Sequence, residues 1–155
     1  MNNVLLGGDG WVHYETIGGG QGARPWADGM SGVHTNMTNT LDTPVEALER
    51  ALPLRVRRYA LRPDSGGHGA HRGGDGIERE LEALDHLTAS LVTERRTTPP
   101  WPLAGGDPGT PGANSCLRAR AVEPEPHPDK CTIDLHPGDI LRIHTPGGGG
   151  HGAPR

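Results

Sequence analysis

Apolar and polar residues alternate with a period near two through most of the ordered stretches of this chain, which predicts strands rather than helices. The clearest case is Ile77–Leu84, IERELEAL. Ile77, Arg79, Leu81 and Ala83 share one face, and Glu78, Glu80, Glu82 and Leu84 share the other. Its residues individually favour helix. The alternation, and the glycine-rich connection Pro63–Gly76 before it, instead predict a hairpin with Leu54–Arg62, LRVRRYALR. In that partner strand Leu54, Val56, Arg58 and Ala60 fall on one face and Arg55, Arg57, Tyr59 and Leu61 on the other, with Pro53 and Pro63 bracketing the run. A basic strand beside an acidic one predicts cross-ladder charge pairs, each contributing about 0.2–1 kcal/mol. Further strands are predicted at Thr88–Glu94, Cys116–Val122, Cys131–Leu135 and Ile140–His144, the last entered through a tight turn at His136–Asp139. One short helix is predicted at Pro44–Ala51, with Thr43 as N-cap, Pro44 at the first helical position and Glu46 as the capping-box acid. The expected fold is mainly β (α+β): antiparallel strands, long Gly/Pro-rich loops and one helix near Pro44–Ala51.

Composition narrows this picture. Gly 25 and Pro 15 together make 40 of 155 residues, hydrophobic content is 32% and there is no Phe, so little material is left for a core. A net charge of only −4 and the patterned runs argue against disorder throughout. The length predicts a single domain spanning residues 1–155. Near-neutral charge gives no reason to expect nucleic acid as a partner. No apolar run approaches the roughly 20 residues of a membrane helix, and MNNVLLGGDG lacks the basic start and apolar core of a secretory signal. Cys116 and Cys131 are 15 positions apart with no CxxC, which reads as two reduced thiols in a cytoplasmic protein.

The run from Tyr14 to Glu46, YETIGGGQGARPWADGMSGVHTNMTNTLDTPVE, carries polar side chains on glycine-rich backbone with almost no apolar periodicity. Glycine allows close approach of backbone to a ligand, and short polar side chains supply both donors and acceptors. Candidate substrate-binding residues are Glu15, Arg24, His34, Asn36 and Asn39. Glu15 could act as a base or hold a basic partner. Arg24 could clamp a carboxylate or phosphate, with a structural Arg24–Glu15 ion pair as the alternative. Asn36 and Asn39 could orient a cyclic amide through its carbonyl and N–H. Arg95 and Arg96 could line an anionic pocket or form a solvated charged face. No catalytic residue is singled out, because no triad is visible. No metal ligands are expected: His68, His71, His127, His136 and His151 lack partners at ligand spacing. The single lysine, Lys130, has no P-loop glycine frame. Gly147, Gly149 and Gly152 satisfy G-x-G-x-x-G, but no helix can follow three residues from the end, so a Gly-rich turn is expected.

Ordered motifs along the chain resemble the hydantoinase B/5-oxoprolinase family, which includes N-methylhydantoinase B and the acetone and acetophenone carboxylase relatives. They are MNN, YETIGGGQGARP, DGMSGVHTNMTNT, TPVEALE, LRPDSGG, RGGDGIERE, ERR at Glu94–Arg96, PPWPLAGG, PGDILRI and TPGGGG. The resemblance covers nearly the whole chain and implies a C-terminal-half fragment, one incomplete domain of a subunit several hundred residues long. It implies a hydrolase that opens a cyclic amide, hydantoin or 5-oxoproline, at the expense of ATP, and that is inactive as this chain alone. A non-catalytic docking fragment, or a piece of an ATP-dependent ketone carboxylase subunit, is the alternative. The implied partners are the missing N-terminal half, a hydantoinase A-type ATP-binding subunit and a small cyclic amide substrate. The chain alone is expected to bind no cofactor; the divalent metal and ATP are placed outside this segment. Relatives often carry a second His where this chain has Asn36, and an aromatic ring where it has His151.

Overall fold

The chain runs through β1 (Asn2–Gly8), β2 (Trp11–Thr16), helix α1 (Val45–Ala51), β3 (Leu54–Arg62), β4 (Gly76–Ala83), β5 (Leu87–Thr93), β6 (Ala113–Leu117), β7 (Glu125–His127), β8 (Lys130–Leu135) and β9 (Ile140–His144). This is a computed structural model, and it describes residues 1–35 and 38–154. The strands form two antiparallel sheets, ordered β2-β1-β5-β8 and β3-β4-β9-β6-β7. The expected mainly β fold with one helix is what the chain adopts. Among the described residues no helix is long and apolar enough to cross a membrane.

The two sheets share one apolar core. Val4 and Leu6 of β1, Leu91 of β5 and Leu135 of β8 meet Leu81 of β4 and Leu141 of β9, all essentially solvent-free. Each leucine buried this way contributes about 1.5–3 kcal/mol. In β4 the predicted alternation holds at every position: Ile77, Arg79, Leu81 and Ala83 are buried and the three glutamates between them are not. The charge ladder forms too, with Arg55 and Arg57 at 3.4 and 3.5 Å from Glu82 and Arg58 bonded to Glu78.

Two sequence expectations are corrected. The faces of β3 change partway, because the register shifts between Val56 and Arg58. One extra residue at a bulge reverses side-chain parity, so Tyr59 and Leu61 pair with the buried Arg79 and Ile77, while Arg58 and Ala60 pair with Glu80 and Glu78. The helix starts one residue later than expected. Pro44, at φ −53 and ψ 137, is the N-cap, and no side chain caps the helix. Thr43 thereby lies one position before the cap, and Glu46 falls at the second helical position, one short of the third that a capping box needs. The β1–β2 hairpin is an addition to the predicted strands. Gly8 pairs with Trp11 across Asp9–Gly10, with Gly10 at φ +75, a two-residue connection of the sort that favours Asp-Gly.

The glycine-rich segments are ordered and pack on one another. At Gly147, Gly148, Gly149 and Gly150 a Cβ would lie 1.9–2.2 Å from the carbonyl oxygens of Ser65, Gln21, Trp101 and His68 respectively. The first and fourth directions point to the same 65–68 segment, so the run turns once every three residues, as an extended helix of the polyproline type does. Such a helix has no internal hydrogen bonds, and its backbone must find partners elsewhere. Here Gly148 N–H donates to Gly74 O (2.8 Å) and Gly150 N–H to Asp107 O (2.9 Å), while Gly149 O accepts from Ala23 N–H (2.8 Å) and Pro146 O from Gly20 N–H (2.9 Å). All three sides of the run are occupied by backbone, so every position must be glycine. This explains GGGG without a nucleotide.

Candidate functional site

Strand β2 turns His13 and Glu15 inward, and β4 turns Arg79 toward them from the opposite sheet. Glu15 and Arg79 form a two-pronged pair, Nε to Oε1 and Nη2 to Oε2, both 3.1 Å. The side chains are 5% and 2% exposed, so the pair is desolvated. His13 Nε2 lies 3.4 Å from Glu15 Oε2. Burial alone would raise the Glu15 carboxyl, but hydrogen bonds from His13 and Arg79, and the Arg79 charge, hold it below its ordinary value. The Arg79 guanidinium sits 4.6 Å above the Tyr59 ring, and the Tyr59 hydroxyl donates to Asp42. Burial, then the nearby Glu15 charge, raises the Asp42 carboxyl, against Arg79 and His34, which lower it.

Beyond β2 the backbone passes Ile17 and enters Gly18–Gly20. Gly19 exchanges two backbone hydrogen bonds with Val33, 2.9 and 3.0 Å, and this places the following His34 beside the glycines. A cleft of about 510 Å³ opens here, lined by the Gly18–Gly20 backbone, His34, Thr35, Thr38 and Arg95. The Thr38 hydroxyl donates to Thr35 O at 3.2 Å. His34 Nδ1 is buried and has no hydrogen-bond partner among the described residues. A buried imidazole nitrogen left without any partner would be costly.

The structure brings only part of the sequence-derived set together. His34 lines the cleft. Glu15 immediately precedes Thr16, another cleft residue, but its carboxylate is committed to Arg79, not to Arg24. Arg24 is exposed in a turn closed by hydrogen bonds with Ala27 and does not line the cleft. Asn39 is exposed and also does not line it. Asn36 lies outside the described residues. The Arg95–Arg96 pair divides. Arg95 faces the cleft with its guanidinium 3.9 Å over Trp101. Arg96 is structural: its Nη1 donates to Asn2 Oδ1 (2.6 Å) and its Nη2 to Asn114 Oδ1 (2.8 Å). Burial, then the Arg62 charge, pulls the Arg96 guanidinium down to about 10. Arg79 escapes sequence reasoning as a site residue because its partner is 64 positions away. Its one sequence signal is a charge on the apolar face of β4.

Among the described residues no three His, Cys, Asp or Glu side chains converge as metal ligands. Lys130 is exposed and pairs with Asp129 at 2.9 Å.

A family model described as hydantoinase B/oxoprolinase matches residues 1–154. The chain is 44% identical over 155 residues to 5-oxoprolinase 1 of Arabidopsis thaliana, covering 99% of this chain and 12% of that protein. It is 33% identical to the B-type subunit of a D-/L-hydantoinase from a Pseudomonas species, covering 93% of this chain and 24% of the relative. The crystal structure of ATP-dependent caprolactamase from Pseudomonas jessenii superposes with a TM-score of 0.76 at 27% identity, over 97% of this chain and 28% of that one. The chain thus spans roughly an eighth to a quarter of the lengths of these relatives.

Proposed function

Because this chain belongs to the hydantoinase B/oxoprolinase family, we propose that it is the C-terminal part of a hydantoinase B-type subunit and supplies one wall of the site where a cyclic amide is opened at the expense of ATP. The observation that carries this reading is His34, which lines a cleft edged by glycine backbone and whose buried Nδ1 has no hydrogen-bond partner among the described residues. A ring amide offers one N–H donor and one carbonyl acceptor. The imidazole can take the first or donate to the second, and the Thr35 and Thr38 hydroxyls can do either. Glycine at positions 18 to 20 lets the ring approach the backbone closely. Glu15 serves by pairing with Arg79, fixing β2 against β4 and so fixing the glycines that follow it. ATP is handled by a hydantoinase A-type partner, since the only lysine here is tied to surface carboxylates.

The test is reconstitution. The chain is mixed with the remaining part of a relative's B-type subunit and an A-type subunit, and ATP-dependent ring opening of 5-oxoproline or hydantoin is followed. Restored turnover that falls at least about tenfold in His34→Ala, with the complex intact by light scattering, is expected, one lost hydrogen bond in the reacting complex being worth about that much. A complex with full turnover despite His34→Ala would remove the imidazole from the site. A complex without turnover would leave the chain a docking or structural module, and no complex at all would leave its family membership as ancestry only.

A further inference from the structure

We infer that Arg95 makes this cleft selective for a cyclic amide that carries a carboxylate; the inference rests on the cleft being the amide site. Arg95 has φ +61, a left-handed backbone that a long side chain rarely adopts. Such a conformation persists where flanking structure enforces it, and it clusters at ligand sites. The enforcement is visible on both sides. Glu94 N–H donates to Met1 O and Gly112 N–H donates to Arg95 O, both 2.9 Å, and Arg96 is anchored to Asn2 and Asn114. The effect is to send the Arg95 side chain across the Trp101 ring, 3.9 Å from its centre, at the edge of the cleft.

Stacking uses the face of a guanidinium and leaves its N–H edge free for a planar carboxylate. Among the described residues no carboxylate pairs with Arg95, while Glu94, the acidic side chain of the cleft, faces Lys130 at 3.7 Å. The cleft therefore holds one cationic side chain whose charge is unmatched. A neutral lactam has nothing to offer it. A lactam bearing a carboxylate on its ring does.

The probes are 5-oxoproline and pyrrolidinone, which is the same ring without the carboxylate. Each is titrated into the isotope-labelled chain, assembled with the remaining part of a relative's B-type subunit, while the Gly18–Gly20 amide resonances are followed, for the natural sequence and for Arg95→Gly. Glycine accepts φ +61 freely, so this variant removes the guanidinium while keeping or raising the thermal midpoint. The Met1 amino group is the same in both proteins and cancels. The expected result is a preference for 5-oxoproline of about tenfold or more, the worth of one charge-assisted pair, which vanishes in Arg95→Gly while pyrrolidinone binding is unchanged. If both compounds shift the glycine amides equally, or if the preference survives in Arg95→Gly, Arg95 is not the selector although the amide site stands. If neither compound moves those resonances, the amide site and the selector fall together.

Discussion

The pair between Glu15 and Arg79 should dominate the response of this fold to mutation. Both side chains are almost fully buried and two hydrogen bonds of 3.1 Å join them across the sheets. Arg79→Met would leave Glu15 buried beside His13 alone, and Glu15→Gln would leave a buried guanidinium that already has one nitrogen, Nη1, without a partner among the described residues. Removing one member of a buried pair costs about 3–5 kcal/mol, whereas replacing both with apolar residues of similar volume is often neutral. At this chain length about 2–4 °C is lost per kcal/mol, so either single variant should melt some 6–20 °C lower and the double variant Glu15→Met/Arg79→Met should recover most of that. The assay is urea unfolding of all four proteins at neutral pH. The sign with pH follows from Glu15, whose carboxyl is held below its ordinary value. Its contribution is complete above the unfolded value of about 4.5 and is lost as pH falls through the folded one. The deficit of Glu15→Gln should therefore narrow in acid. Single variants costing under about 1 kcal/mol, or costs that simply add, would refute a desolvated, coupled pair.

Two further predictions concern the backbone and the Arg96 node. Gly148→Ala puts a methyl 2.0 Å from Gln21 O and should prevent cooperative folding, whereas Gly22→Ala meets nothing closer than 3.8 Å and should leave the melting point within a few degrees; calorimetry of the two separates close packing from glycine flexibility. Arg96→Met strips the donors from Asn2 Oδ1 and Asn114 Oδ1 and should cost about 2–3 kcal/mol in urea unfolding, the usual worth of bonds to a charged group.

What can be read in the sequence is local. The period-two split of β4 needs only neighbours, and it places Ile77, Leu81 and Ala83 in the core correctly. A bulge cannot be located from alternation alone, because a single inserted residue leaves both flanking halves well patterned; hence the reversed faces after Arg57. The Asp9–Gly10 hairpin is legible as an Asp-Gly turn between two short apolar runs, though the predicted strands do not include it. In the site, His34 stands out as the imidazole in a polar, glycine-rich run. Arg24 and Asn39 share its composition but not its location, because the turn at Arg24–Ala27 carries that guanidinium to the surface. Arg79 and Arg95 owe their roles to residues distant in sequence or to a backbone angle, and neither is written in local pattern.

The glycine segments connect these observations. Composition reads them as loops, and loops beside a ligand site are expected to move. Their hydrogen bonds give the opposite picture. Gly20 is tied to Pro146, Gln21 to Met30, Gly74 to Gln21 and Gly148 to Gly74, so the edge of the cleft continues into a lattice of backbone bonds. A Cβ at Gly20 would lie 2.0 Å from Gly74 O, which leaves that wall no room to shift. A ring amide is small and offers few contacts, so its recognition depends on donors held at fixed positions. Side chains on a mobile loop would lose entropy on every encounter. Backbone packed against backbone has lost that entropy on folding. If the proposed site wall is built from main chain, the scarcity of large apolar residues, which at first suggests a marginal domain, follows from it, with the Glu15–Arg79 pair and the inter-sheet core holding its two ends.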